Sequence, residues 1–127
     1  MTNSRQNFVT LIESYYMAVD RLDTEAIVSH FTTDAVMAIP SGDVRHEGHE
    51  AIRATYVRRA SEVDESFHGD FTHVVDTDNW RAATRLAARR KTKDGRSFDM
   101  DCIAMFAFDG DLIKNIAIWM SGENSLK

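Results

Sequence analysis

The chain has 127 residues, of which 43% are hydrophobic and only one is proline; this describes one soluble domain, residues 1–127, with room for a core and a small cavity but not for a second domain. A net charge of −5 argues against nucleic acid as a partner, because phosphate binding needs a concentrated positive surface. A lone cysteine, Cys102, permits neither an internal disulfide nor a thiolate metal cluster, no apolar run approaches the length of a membrane span, and the opening MTNSRQNF lacks the basic-then-apolar order of a signal peptide, so the expected setting is cytoplasmic, without a membrane partner.

Taken in chain order, Phe8, Leu11, Ile12, Tyr15, Val19 and Leu22 follow the three-and-four rhythm of an amphipathic helix. Asp20 sits beside that face, on the stripe Ile12, Tyr16, Asp20. Two readings of it stand: a residue that caps the turn after the helix, or a carboxylate lining a ligand pocket. Asp23 has the chemistry of an N-cap for a second helix burying Ile27, Val28 and Phe31. A short extended run, Ala35 to Ile39, is closed by Pro40, Ser41 and Gly42, and a third helix from Gly48 presents Ile52, Thr55, Tyr56, Arg59 and Val63.

The period then changes. Phe67 to Asp76, Trp80 to Lys91, Ser97 to Phe108 and Leu112 to Met120 read as four strands, parted by turn signals at Thr77-Asp78-Asn79, Lys93-Asp94-Gly95 and Asp109-Gly110-Asp111. Short turns between consecutive strands predict an antiparallel meander, and helices followed by strands predict an α+β fold with the helices on one face of the sheet. On the third of these strands Phe98, Met100, Cys102, Ala104, Phe106 and Phe108 share one face, while Asp99, Asp101, Ile103, Met105 and Ala107 share the other. That second face turns apolar after Asp101, which predicts a homodimer through the outer side of the sheet. The basic residues Arg85, Arg89, Arg90, Lys91, Lys93 and Arg96 read as the solvated end of a hairpin.

The phrases VDRLDTEAIVSHFTTDA, EGHEAI and IAIWMSGEN resemble the nuclear transport factor 2 like superfamily, in particular its SnoaL-like, ketosteroid isomerase and scytalone dehydratase branch. The resemblance spans nearly the whole chain. It implies a cone-shaped curved antiparallel sheet wrapped by three N-terminal helices, with an apolar pocket inside the cone. It says less about reaction, because this fold hosts isomerases, dehydratases, cyclases and plain binding modules.

Carried over by residue, the isomerase pattern places Ile39 where the family has its general base and Ala104 where it has the acid of the oxyanion hole. Steroid-isomerase chemistry is therefore not expected. A pocket lined by Tyr15, Ile39, Ala104 and Trp119 is expected, with Met37, Met100, Cys102 and Phe106 extending the apolar cup and Tyr56 and Arg90 at its polar points. The dehydratase pattern instead pairs Asp20 with His73, a carboxylate orienting an imidazole for proton transfer; Arg90 stands where that family has a further histidine. His73 shares its strand side with Phe71 and Val75, so it is placed inward, either as that catalytic partner or as a satisfied structural histidine. His30, His46, His49 and His68 read as surface residues.

The functional expectation is a cofactor-free lyase, isomerase or cyclase acting on a small, largely apolar, oxygen-bearing molecule. Asp20 and His73 would move the proton, and Tyr15, Tyr16 or Tyr56 would polarise an oxygen. The competing expectation is a non-catalytic binding or dimerisation module. No metal is expected, since neither His46-Glu47-Gly48-His49 nor His68-Gly69-Asp70 has the spacing of a zinc site.

Overall fold

The computed structural model describes residues 4–127; the first three residues, part of the stretch read above as lacking a leader, lie outside them. Helix α1 spans Arg5–Asp20 and starts at Ser4, whose side chain accepts a hydrogen bond from the Asn7 amide. Asp23 caps α2 (Thr24–Val28) by accepting from the Ala26 amide at 3.2 Å, as its sequence position predicts. Strand β1 (Phe31–Ile39) ends in a single 3₁₀ turn at Pro40–Gly42, then β2 (Val44–Glu47) leads into α3 (Gly48–Glu62). Strands β3 (Val63–Asp76), β4 (Arg81–Thr92), β5 (Ser97–Asp109) and β6 (Leu112–Met120) complete the chain.

One six-stranded sheet runs in the order β2-β1-β6-β5-β4-β3. The β3 to β6 meander is antiparallel, whereas β1 pairs with β6 in parallel, so the sheet is mixed and the fold is α+β. Several boundaries differ from the sequence reading. Phe31 opens β1 instead of closing α2, and Val63 is the extended residue that ends α3 and begins β3. Leu22 falls outside α1 in a left-handed turn with φ 56°. Strand β2, Val-Arg-His-Glu, is short and polar and so left no apolar alternation to read.

The core lies between the helices and the inner face of β1, β5 and β6. Phe8 of α1 stacks on Phe108 with ring centroids 4.6 Å apart, and Ile12, Tyr15, Met37, Ile39, Ala104, Ile113 and Ile116 are almost completely buried around it. Burying a large apolar side chain contributes about 1.5–3 kcal/mol, so this contiguous cluster is what fixes α1 on the sheet. No described helix is long and apolar enough to cross a membrane.

One irregularity in β3 decides the site. The pairing of β3 with β4 shifts between Gly69 and Thr72, and Asp70 there has φ 54°. An inserted residue of this kind flips the alternation of the strand. Ser66 and His68 before it, and Phe71, His73 and Val75 after it, are all on the more buried side, although strict period-two counting puts His68 and His73 on opposite faces.

Candidate functional site

The α1 stripe carries two carboxylates seven residues apart, Glu13 and Asp20, which places them roughly 10 Å apart along the axis. The helix runs against β3, so each meets a different histidine. Asp20 Oδ1 accepts from His68 Nδ1 at 2.5 Å and from Ser66 Oγ at 2.9 Å, while Oδ2 accepts from the His68 amide at 2.8 Å. Glu13 meets His73, whose Nε2 lies 2.7 Å from Oε2 and whose Nδ1 lies 2.8 Å from Thr84 Oγ1. The expected Asp20–His73 pair is therefore corrected: Asp20 pairs with His68, and the spacing of the helix leaves His73 to Glu13.

His68 is held on its other side by Tyr16, whose ring stacks on the imidazole with centroids 5.0 Å apart. Its Nδ1 is committed to Asp20, and Nε2 has no hydrogen-bond partner among the described residues. Next to this pair is a cavity of about 40 Å³, lined from the helices by Tyr15, Tyr16, Tyr56 and Arg59, from the sheet by Met100, Cys102, Ile118 and Arg90, and by His68 itself. A volume of that size holds roughly three waters.

The hydroxyls of Tyr15 and Tyr56 are hydrogen-bonded to each other deep in the site. Burial pushes the Tyr56 hydroxyl up to about 12 and raises those of Tyr15 and Tyr16 well above their ordinary value. All three are thus neutral donors over the physiological range. Burial also pushes the Cys102 thiol up to about 11, so it is an apolar wall rather than a nucleophile. Arg59 reaches Asp20 indirectly, donating to Ser66 Oγ at 3.1 Å, and Ser66 in turn donates to the carboxylate.

The segment after β6 closes one side. Ser125 and Leu126 line the cavity, and α3 and β2 hold the segment there: Thr55 Oγ1 and His46 Nε2 contact the Leu126 carbonyl at 3.2 and 2.6 Å, and Arg58 donates to the Ser125 carbonyl at 3.0 Å. Gly122 permits this path, because a Cβ there would fall 2.9 Å from Met100 Cγ and Sδ.

Of the residues expected in the pocket, Tyr15, Tyr16, Tyr56, Arg90, Met100 and Cys102 do line it. Met37, Ile39, Ala104 and Phe106 point inward but are consumed by core packing and do not reach the cavity. Trp119 is a correction of face: it pairs with Ile103 on the outer side and is 39% exposed, while its neighbour Ile118 faces the cavity. The four histidines read as surface residues are all half-buried and hydrogen-bonded, His30 to Ser14 Oγ and His49 to the Phe31 carbonyl besides the two already described. The signal that could have found His68 was Gly69-Asp70 inside a strand pattern, a composition that marks bulges.

Helices followed by a mixed sheet, with a small cavity between them, is the architecture of the nuclear transport factor 2 like proteins. The SnoaL-like domain model matches residues 12–116, and the chain belongs to that family. Among solved structures it is similar to the BvnE pinacolase of Penicillium brevicompactum, with TM-score 0.81, 13% identity and coverage of 92% of this chain and 84% of that one. It is also similar to a protein of ketosteroid isomerase-like fold from Catenulispora acidiphila, solved with trimethylamine, with TM-score 0.79, 11% identity and coverage of 91% and 88%. An NTF2-like protein from Burkholderia xenovorans matches with TM-score 0.74, 19% identity and coverage of 93% and 92%. No curated protein sequence gives a significant match.

Proposed function

We propose that the chain is a cofactor-independent acid–base enzyme that isomerises, dehydrates or cyclises a small oxygen-bearing molecule in this cavity. The observation that carries the reading is His68, fixed by Asp20 through one ring nitrogen and left with the other unbonded at a cavity of neutral tyrosine hydroxyls. In the neutral ring the carboxylate only accepts, so Nδ1 bears the proton and Nε2 offers its lone pair.

That nitrogen takes a proton from a carbon activated by a neighbouring oxygen. Asp20 stabilises the imidazolium that results, and the Tyr16 hydroxyl donates to the oxygen on which charge develops. The imidazolium then returns its proton to another atom of the same molecule, or to a hydroxyl that leaves as water, so the cycle balances without an oxidant or reductant. A protein of the same fold is named as a pinacolase, which supports an enzymatic reading.

The test is deuterium incorporation and product formation across a panel of small ketones, aldehydes and hydroxy compounds, repeated with Asp20→Asn and His68→Gln. The second reading, a non-catalytic ligand-binding module, draws on the small volume of the cavity and its closure by Leu126; binding of a panel member with no turnover by the wild type would favour it. The protein is proposed to work in the cytoplasm as a homodimer through Ile103, Met105 and Trp119, which are 47%, 51% and 39% exposed on the outer face. Sedimentation at twice the chain mass, reduced to the monomer by Met105→Glu, is the expected result; a wild-type monomer at micromolar concentration opposes it.

A further inference from the structure

The cavity holds more positive charge than proton transfer requires. Arg59 and Arg90 both line it and are only 4% and 8% exposed. A guanidinium removed from water ordinarily lies on a carboxylate, because unpaired burial of charge is costly. Among the described residues neither does. Arg59 donates to two hydroxyls, Ser66 Oγ at 3.1 Å and Ser125 Oγ at 3.2 Å. Arg90 donates to the Glu123 carbonyl at 3.3 Å and lies over the Phe98 ring, 4.1 Å from its centroid.

The acids nearby are engaged elsewhere. Glu62 accepts from Arg58 at 3.2 Å, the Glu123 carboxylate is 3.6 Å from Arg96, and Asp20 is held by His68. Burial lowers both guanidinium pKa values, and repulsion from Arg59 lowers that of Arg90 further. The contrast with the rest of the basic hairpin is informative. Arg85, Arg89 and Arg96 stay exposed, each with an aspartate within 2.6 to 3.7 Å, whereas Arg90 alone of that run turns inward and leaves the carboxylates behind.

Two like charges facing one cavity, supplied with hydrogen bonds but with no carboxylate in direct contact, have room for an anion between them. The planar forks of arginine match a carboxylate, and the apolar wall of Met100, Cys102 and Ile118 suits a hydrocarbon attached to it. We infer that the ligand of this cavity is a short monocarboxylate, its anionic head held by Arg59 and Arg90 and its carbon chain directed along Met100 and Tyr16 toward His68. This deepens the reading above and rests on its choice of cavity, not on His68 being catalytic.

Thermal denaturation of the full chain at constant ionic strength, with propanoate or butanoate against the matching amides, tests the inference. The carboxylates should raise Tm saturably and the amides should not. Arg90→Met should weaken the carboxylate response by about tenfold or more, as expected for loss of a hydrogen bond to a charged group, without lowering the Tm of the ligand-free protein. Equal shifts with the amides, an intact response in Arg90→Met, or an equal response to inorganic phosphate would overturn it. Should Arg90→Met fail to fold, the wild-type arginine Nε–H resonances decide: those of Arg59 and Arg90 should move with butanoate and stay with butanamide, and signals indifferent to both overturn the inference. His68→Gln should keep the carboxylate response. If that variant loses turnover while the wild type ignores carboxylates, this inference fails and the acid–base reading survives; if carboxylates bind and His68→Gln keeps full turnover, the inference stands and the acid–base reading fails.

Discussion

Two histidine–carboxylate pairs join α1 to β3, and they differ in what the second ring nitrogen does. In the Glu13–His73 pair both nitrogens are occupied, one by the carboxylate and one by Thr84, and the ring does not reach the cavity. In the Asp20–His68 pair one nitrogen is occupied and the other is not, and the ring lines the cavity. The same two residue types on the same two elements thus give a structural clamp in one place and a candidate base in the other. A buried, fully satisfied imidazole has no site left for a proton in transit. The proposed function rests on the unfilled hydrogen-bonding site, not on the presence of an acid beside a histidine.

The largest expected effect that can break this comparison is on turnover. His68→Gln and Asp20→Asn should each lower kcat by roughly a hundredfold or more, the range of a positioned acid–base group, whereas His73→Gln should leave kcat within about threefold of wild type. Equal losses at both histidines would erase the distinction. The ranking should reverse for stability: His73→Gln and Glu13→Gln remove a clamp between helix and sheet and should destabilise by about 1–3 kcal/mol, read from denaturant midpoints, with no matching loss of turnover.

A smaller effect concerns the tyrosines over the cavity. Burial raises the Tyr56 pKa from 10.0 to about 12 and raises those of Tyr15 and Tyr16 in the same direction. Raised values mean that the unfolded chain releases these protons first. The contribution of Tyr56 to stability is therefore fully present below pH 10 and is lost as pH rises from there through about 12. Tyr56→Phe should flatten that alkaline decline, measured by urea denaturation at successive pH values, without moving stability near neutrality by a comparable amount. An unchanged slope would place the Tyr56 hydroxyl in contact with water.

Much of this arrangement was legible in the sequence, and the failures share one cause. Apolar periodicity located α1, α3 and the β3 to β6 meander, and Asp23 announced its cap. Strand alternation also put Met100 and Cys102 on one face, while the pocket that they line with Tyr15, Tyr16 and Tyr56 was implied by the family resemblance. His68 was missed because the bulge at Gly69 and Asp70 resets the alternation of β3, and counting across it assigned His68 to the wrong side. Trp119 was misplaced by a resemblance where the strand register sets the answer: it is opposite Ile103 and outward, with Ile118 inward. Arg90 was read both as part of a solvated basic run and as a pocket residue; it is buried at the cavity, and composition alone cannot show which member of a run turns inward.

The claim that His68 presents an unbonded nitrogen to the cavity is tested most directly by the tautomers of the two histidines, read from long-range ¹H–¹⁵N NMR correlations at a pH where both rings are neutral. Asp20 accepts from Nδ1 of His68, and Glu13 accepts from Nε2 of His73. The two rings should therefore be opposite tautomers: His68 protonated on Nδ1 with a bare Nε2, and His73 protonated on Nε2 with Nδ1 accepting from Thr84. His68 found protonated on Nε2 would have no lone pair facing the cavity, and the account of the site as a general base would be contradicted.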